Sequence, residues 1–253
     1  HWKEAGLPET FQILDSEDQL RLLRRIIRDE GMYESQWPAR QAQWFINARK
    51  DEGERPDRIE HLDHPVTAAW VHIYKLYQDY CNRGGLVDFA ELLLRAHELW
   101  LEHPPLLDHY RRRLQHLLVD EFQDTNAIQY AWVRMLAGDT GRVFLVGDDD
   151  LSIYGWRGAR VENVHHFERD FPDVQTVRME QNYRSTGIIL DAANALIAHN
   201  QPRMGKALWT AGERGHPIAL YAAFNEQDEA RYVVERIQQW LDEGRRADDC
   251  AIL

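Results

Sequence analysis

Cysteine is almost missing from this chain. Cys81 and Cys250 are its two thiols in 253 residues. They stand far apart without ligand-type neighbours, which excludes a disulfide framework and a zinc site. No apolar run approaches the ~18–20 residues a membrane helix needs. Internal repeats, low-complexity tracts and long Gly/Ser linkers are absent too. Positive charge is in deficit, with 30 basic against 42 acidic residues and a formal net charge of -12. That balance argues against a polybasic nucleic-acid binder and leaves room for one local basic or aromatic groove. What is present is a hydrophobic share of 44% with 28% charged residues. Such a composition excludes a disordered or collagen-like chain and supports a sizeable core, in one or two domains at roughly 100–200 residues each. The start, His1-Trp2-Lys3, has neither an initiator methionine nor a signal peptide. The end, Cys250-Ala251-Ile252-Leu253, reads like a strand cut midway. A piece of a longer protein is expected, at home in a reducing cytoplasm.

Residues 1–114 read as helices. Asp15-Ser16-Glu17-Asp18 sets capping oxygens and acidic charge ahead of Leu20, Leu22, Leu23, Ile26 and Ile27, a helical stripe ending near Gly31. Pro38, at a first-turn position, opens a second helix through Trp44, Phe45 and Ile46, which Gly53 ends. Pro65 opens a third, with Trp70, Ile73, Tyr74 and Tyr77 on one face; aromatics at this spacing predict core rather than a ligand site. Asp88-x-x-Glu91 has the form of a capping box before Leu92, Leu93 and Leu94. From His116 the rhythm changes to short apolar runs alternating with helical stretches. Strands are expected at Leu117–Val119, Val143–Val146, Val174–Met179, Ile218–Ala222 and Ala251–Leu253, with helices near 126–137, 161–170, 186–199 and 226–242. This alternation predicts an α/β fold with a mostly parallel sheet, its chemistry at the carboxyl ends of the strands.

The run His116-Leu117-Leu118-Val119-Asp120-Glu121 is an apolar strand delivering two adjacent carboxylates at its tip. In nucleotide hydrolases such a pair holds magnesium and polarises the attacking water; many buried strands also end this way at a solvated turn. Three longer strings follow: Asp120-Glu121-Phe122-Gln123-Asp124-Thr125-Asn126, then Gly147-Asp148-Asp149-Asp150 running on to Ser152-Ile153-Tyr154-Gly155-Trp156-Arg157-Gly158, then Glu180-Gln181-Asn182-Tyr183-Arg184-Ser185-Thr186. In this order and spacing they closely resemble the UvrD/Rep/PcrA family of superfamily 1 DNA helicases. Phe11–Leu23, Gly85–Trp100 and the stretch from Asn225 to Val233 fit the same family, so the resemblance covers essentially the whole chain.

The resemblance implies RecA-like parallel sheets of the P-loop NTPase type, incomplete here. Residues 1–114 would be an all-helical insertion of the first motor domain, 115–180 the C-terminal half of that domain, and 181–253 the start of the second. ATP, with Mg²⁺, would sit between the motor domains. Asp120 would hold Mg²⁺ through its water shell and Glu121 would activate the hydrolytic water, with Gln123 in the same ATP-facing turn and Asp148 nearby. Tyr183 would stack on adenine and Arg184 reach the γ-phosphate. Tyr154, Trp156 and Arg157 match the family's single-strand-binding segment, and Phe89 an aromatic that touches the strand. For Phe89, a core role at a helix start is the competing reading. Stacking on aromatics tracks DNA without reading sequence, which reconciles DNA binding with an acidic chain. The implied activity is 3′-to-5′ movement on single-stranded DNA and unwinding at single-strand/duplex junctions, in bacterial excision and mismatch repair. Repair proteins are the implied partners, no membrane is involved, and the oligomeric state is left open.

Two departures qualify this. Leu151 stands where the family has glutamine, a side chain that links the γ-phosphate to the DNA segment there. Leucine neither donates nor accepts a hydrogen bond, so weakened coupling is expected if the residue is natural; a single-base lesion is the other explanation. No Gly-x-x-x-x-Gly-Lys-Ser/Thr loop occurs, since Gly205-Lys206 lacks the upstream glycine and the following hydroxyl. These residues alone are therefore expected to lack ATPase and unwinding activity, and an incomplete sheet to expose an unpaired edge. Two rival readings stay open: another motor of the same superfamily, Rep-like, and a non-catalytic DNA-binding remnant.

Overall fold

Asp15 starts the first helix. In the computed structural model, which describes residues 1–60, 64–138, 141–171, 173–200 and 205–253, its carboxylate accepts the Asp18 N–H at 2.7 Å. Helix α1 (Ser16–Asp29) follows and buries Leu20, Leu22, Leu23, Ile26 and Ile27. The chain divides into two units, His1–Thr176 and Val177–Leu253.

In the first unit, α2 (Ala39–Asp51) begins one residue after Pro38, whose ψ of 129 is extended. The proline therefore precedes the first turn instead of lying in it. Helix α3 (Pro65–Gly84) starts on its proline and ends at Gly85 in the left-handed region. Its Ile73, Tyr74 and Tyr77 are fully buried, and Trp70 packs edge-on against Trp37 at 4.9 Å. The aromatic stripe is core, as expected. Each such side chain contributes roughly 1.5–3 kcal/mol on burial, so α1, α2 and α3 hold together through one continuous apolar cluster.

This region is not helical throughout, contrary to expectation. Strands β1 (Gln12–Ile13) and β2 (Leu86–Val87) pair in parallel, joined further by Gln12 N–H to Gly85 carbonyl at 2.9 Å. Two residues are too few to show a period of two. At Gly85 a Cβ would lie 2.5 Å from Pro8 Cγ, so only glycine admits this approach. Helix α4 (Phe89–Glu102) is capped by Asp88, which accepts the Glu91 N–H at 2.7 Å. The expected box is only half formed. Instead of turning back to the Asp88 N–H, the Glu91 carboxylate meets Lys50 at 2.9 Å, Arg55 at 2.8 Å and Arg95 at 2.7 Å. Lys50, 1% exposed, also pairs with Asp88 Oδ2 at 2.7 Å. Helix α5 (Pro104–Arg113) leads to the strands.

Strands β3 (His116–Val119) and β4 (Arg142–Leu145) pair in parallel, Leu118 opposite Phe144. One face packs Val119, Val143 and Leu145 against Phe122, Tyr130 and Phe167, which come from the turn after β3, from α6 (Ala127–Ala137) and from α7 (Glu162–Asp170). The other face leaves Leu118 76% and Phe144 64% exposed. Asn126 and Gln129 form a reciprocal capping box at the start of α6.

The second unit contains α8 (Gly187–Ile197) and α9 (Glu226–Asp242), the latter capped by Asn225. Residues Val174–Met179, Ile218–Ala222 and Ala251–Leu253 form no strand, contrary to expectation. Val174 packs against the Phe122 cluster, and the other large apolar side chains, such as Val177 and Leu220, are exposed. A strand exists only through lateral backbone pairing, and among the described residues these segments find no strand partner; the one bridge nearby joins Gln181 to Trp209.

Candidate functional site

The tip of β3 carries the densest group of candidates. Asp120 and Glu121 leave the sheet as exposed carboxylates. Glu121 adopts φ 50 and ψ 44, the one non-glycine residue at positive φ among those described. Left-handed backbone is costly for a residue with a Cβ, and such strain collects at functional positions. The turn is fixed from behind by Phe122 N–H to Val146 carbonyl at 3.0 Å.

Gln123 occupies the centre. It is 1% exposed; its Nε2 donates to Glu121 Oε2 at 2.8 Å, and its Oε1 accepts the Asp148 N–H at 2.9 Å. The glutamine thus orients one carboxylate oxygen of Glu121 and ties it to the loop after β4. Gly147 permits this approach, because a Cβ there would lie 2.9 Å from Gln123 Oε1. The same loop gathers Asp148, Asp149 and Asp150, with one carboxylate oxygen from each within 4.8 Å of the others. Asp120 and Glu121 together with this trio offer hard oxygen donors, the set Mg²⁺ takes, so the residues present fit that ion.

Eight residues along the chain from Asp148, a short 3₁₀ turn (Gly155–Arg157) presents Trp156, 76% exposed. The Arg157 guanidinium lies over both aromatic neighbours, 4.5 Å from the Trp156 ring and 5.0 Å from that of Tyr154. The result is an exposed apolar and cationic surface in an acidic chain. Phe89 is 63% exposed at the first position of α4, so it is not a core residue. In the second unit, Tyr183 is 83% exposed. Asn182 Oδ1 accepts the N–H groups of Arg184 and Ser185 at 2.9 and 2.8 Å, shaping the turn that displays Tyr183 and the exposed Arg184. The first unit therefore brings together Asp120, Glu121, Gln123 and Asp148, with Tyr154, Trp156 and Arg157 on the continuation of the same loop, while Phe89 stands on α4.

Sequence reasoning missed two supports. Asn163, 2% exposed, donates from Nδ2 to Thr125 carbonyl at 3.0 Å and to Thr125 Oγ1 at 3.1 Å, clamping the end of the Asp120–Asn126 turn onto α7. Nothing in its surroundings marks it. The Lys50–Asp88–Glu91–Arg55 cluster had a signal, since Lys50 lies four residues after the buried Ile46 and so on the same helix face. In that cluster burial pushes the Glu91 carboxyl up, but Lys50, Arg55 and Arg95 outweigh it and hold it down at about 2. Asp51 moves the other way: burial, then the Glu52 and Asp88 carboxylates, push it up to about 6.

Comparison with known proteins gives the context. The UvrD/REP helicase N-terminal domain matches residues 1–172, and the UvrD-like helicase C-terminal domain matches residues 177–253. The chain is 62% identical over its whole length to DNA helicase II of Escherichia coli and 63% identical to DNA helicase II of Salmonella typhimurium, covering 35% of each. It is 40% identical, over 98% of its residues, to the ATP-dependent DNA helicase PcrA of Leuconostoc citreum, covering 33% of that protein. The chain thus spans about a third of the length of these relatives. Matches of this extent, on the segments that carry the Glu121–Gln123–Asp148 linkage and the Trp156 surface, show that the chain belongs to the UvrD/REP helicase family.

Proposed function

We propose that these residues are the middle of an ATP-driven motor that moves 3′-to-5′ along single-stranded DNA and unwinds duplex at single-strand/duplex junctions in bacterial DNA repair. Residues 1–114 are read as a helical insertion, 115–180 as the second half of one RecA-like motor domain and 181–253 as the start of another. The observation that carries the reading is Gln123, which touches Glu121 with one end and the Asp148 backbone with the other. A change at the phosphate side is thereby felt by the loop that leads to Tyr154, Trp156 and Arg157.

In this reading Glu121 accepts a proton from water as the water oxygen bonds to the γ-phosphorus. The bond from that phosphorus to the β-phosphate oxygen breaks, and ADP leaves with the electron pair. Gln123 keeps the Glu121 carboxylate aimed during the step. Asp120 would hold Mg²⁺, with Glu121 assisting and Asp148 close by, and a bound ion would supply charge neutralisation at the phosphate oxygens. Tyr183 stacks on the base and Arg184 approaches the γ-phosphate, a role worth about 10³–10⁵ in rate for such arginines. Trp156 and Tyr154 stack on successive bases at about 1–3 kcal/mol each, with Arg157 near the backbone and Phe89 as a further contact. A cytoplasmic protein acting on nucleoid DNA and meeting repair proteins follows from the same reading.

The test is ATP hydrolysis by the full-length protein with and without oligodeoxythymidylate. Wild type should be stimulated by the strand. Glu121→Gln should lose about 10²–10⁴-fold in turnover, the usual worth of a general base, while still binding nucleotide. Unchanged turnover in Glu121→Gln would remove Glu121 from the mechanism. Leu151 favours a second reading, a DNA-binding remnant without catalysis; strand binding with no hydrolysis by the wild type would select it.

A further inference from the structure

The carboxyl end of α2 contacts residues beside both surfaces on which single-stranded DNA is proposed to stack. On one side, Lys50 Nζ holds Asp88 Oδ2 at 2.7 Å, and Asp88 in turn caps α4, whose first residue is the exposed Phe89. On the other side, the Asp51 carboxylate lies against Gly158, where an added Cβ would come within 3.9 Å of its Oδ2 and 4.0 Å of Asn126 Cβ. Gly158 directly follows the turn that presents Trp156. Glu52, the next residue, forms an ion pair with Arg160, whose own N–H is donated to Thr125 carbonyl at 2.9 Å.

Three consecutive residues thus bridge Phe89 and Trp156, through contacts that are unequal in character. The Lys50–Asp88 joint is fully buried, with side chains 1% and 3% exposed, and removing one partner would strand a charge in the core. The Glu52–Arg160 joint is partly open, at 26% and 46%, and a pair that exposed adds little to folding stability. An ion pair that hardly stabilises the fold still fixes where the loop 154–160 stands relative to α2.

We propose that Lys50, Asp51 and Glu52 form a strut that sets the spacing between Phe89 and Trp156, so that one DNA strand engages both aromatics at once, with Glu52–Arg160 as its adjustable joint. Glu52 and Arg160 are positioning residues here and do not touch the strand. The proposal rests on the DNA reading above, and its test separates the two.

Affinity for fluorescein-labelled oligodeoxythymidylate is measured on the full-length protein for Glu52→Arg, Arg160→Glu and the double reversal, each also in a Trp156→Ala background, with thermal melts as a fold control. Each single reversal should weaken binding roughly two- to fivefold, the range of an exposed ion pair. The double reversal should restore it, and in the Trp156→Ala background the reversals should change nothing, because only one aromatic remains to be spaced. A loss in Arg160→Glu that the double reversal leaves in place would mean that Arg160 contacts DNA itself, and would overturn the strut. So would unchanged affinity in both single variants. If Phe89→Ala and Trp156→Ala by themselves leave affinity unchanged, the DNA reading fails, and the strut with it.

Discussion

Glu121 pays for its place at the β3 tip with left-handed backbone, at φ 50. A Cβ in that region costs roughly 1–2 kcal/mol, which glycine avoids at the expense of a looser unfolded chain. Glu121→Gly should therefore melt above Glu121→Ala by about 1 kcal/mol, the reverse of the usual order, while both lose ATP hydrolysis; paired thermal melts check this. Leu151 is the other residue with a sharp consequence. It is 57% exposed in the short turn Asp149–Leu151, a hydrocarbon where the family resemblance implies a hydrogen-bonding amide. Leu151→Gln should raise DNA-stimulated ATPase, with roughly 1.5–3 kcal/mol available from a bond to a charged group; equal stimulation of both forms would sink the coupling argument. At this scale the exposed chemistry was legible. Asp120 and Glu121 followed an apolar run, whereas Trp156 was singled out by the family resemblance, and its 76% exposure agrees with a surface position. The burial of Gln123 and the clamp by Asn163 were not, because both depend on backbone brought in from other elements.

Among elements, helices were read well because their ends are coded locally. Asp15, Asp88 and Asn225 each accept a backbone N–H three residues on, and α6, α7, α8 and α9 lie within two residues of the stretches expected. Strands were read poorly wherever pairing was decided by distant residues. Gln12–Ile13 pairs with Leu86–Val87 without any pattern, while the patterned run Ile218–Ala222 pairs with nothing described. The α2–α4 contact also predicts two opposite pH dependences. The Glu91 carboxyl is held down at about 2 in the fold, so its stabilisation is complete above the ordinary carboxylate range and fades as pH falls toward 2. The Asp51 carboxyl is pushed up to about 6, so the folded state binds its proton more tightly, and stability is lost as pH rises through 6. Asp51→Asn should then gain on the order of 1 kcal/mol over wild type at pH 8, after discounting for solvent, and nothing at pH 4. Glu91→Gln should cost about 3–5 kcal/mol at neutral pH by leaving Lys50, Arg55 and Arg95 under-compensated. Denaturant melts at three pH values distinguish the two.

For the whole molecule, the bare face of the β3–β4 sheet matters most. Parallel sheets are ordinarily covered on both faces, yet Leu118 and Phe144 stand open opposite one another. Beside β3 an apolar groove of about 210 Å³, lined by Leu93, Leu117, Trp132 and Val133 among others, carries none of the candidate residues. Relatives are about three times as long as this chain, and we read the open face as the seat of helices that a longer chain supplies. The 253 residues alone should self-associate, and Leu118→Ser with Phe144→Ser should shift them toward monomer on size-exclusion chromatography. The resemblance implied an incomplete sheet with an unpaired edge, whereas the open face and the small β1–β2 pair emerged only with the fold. Movement along DNA is tested most directly by ATP-dependent strand separation by the full-length protein, on duplexes carrying either a 3′ or a 5′ single-stranded tail. Unwinding from the 3′ tail, abolished by Glu121→Gln, is the expected result; unwinding that survives Glu121→Gln, or that needs the 5′ tail, would contradict a 3′-to-5′ motor driven through Glu121.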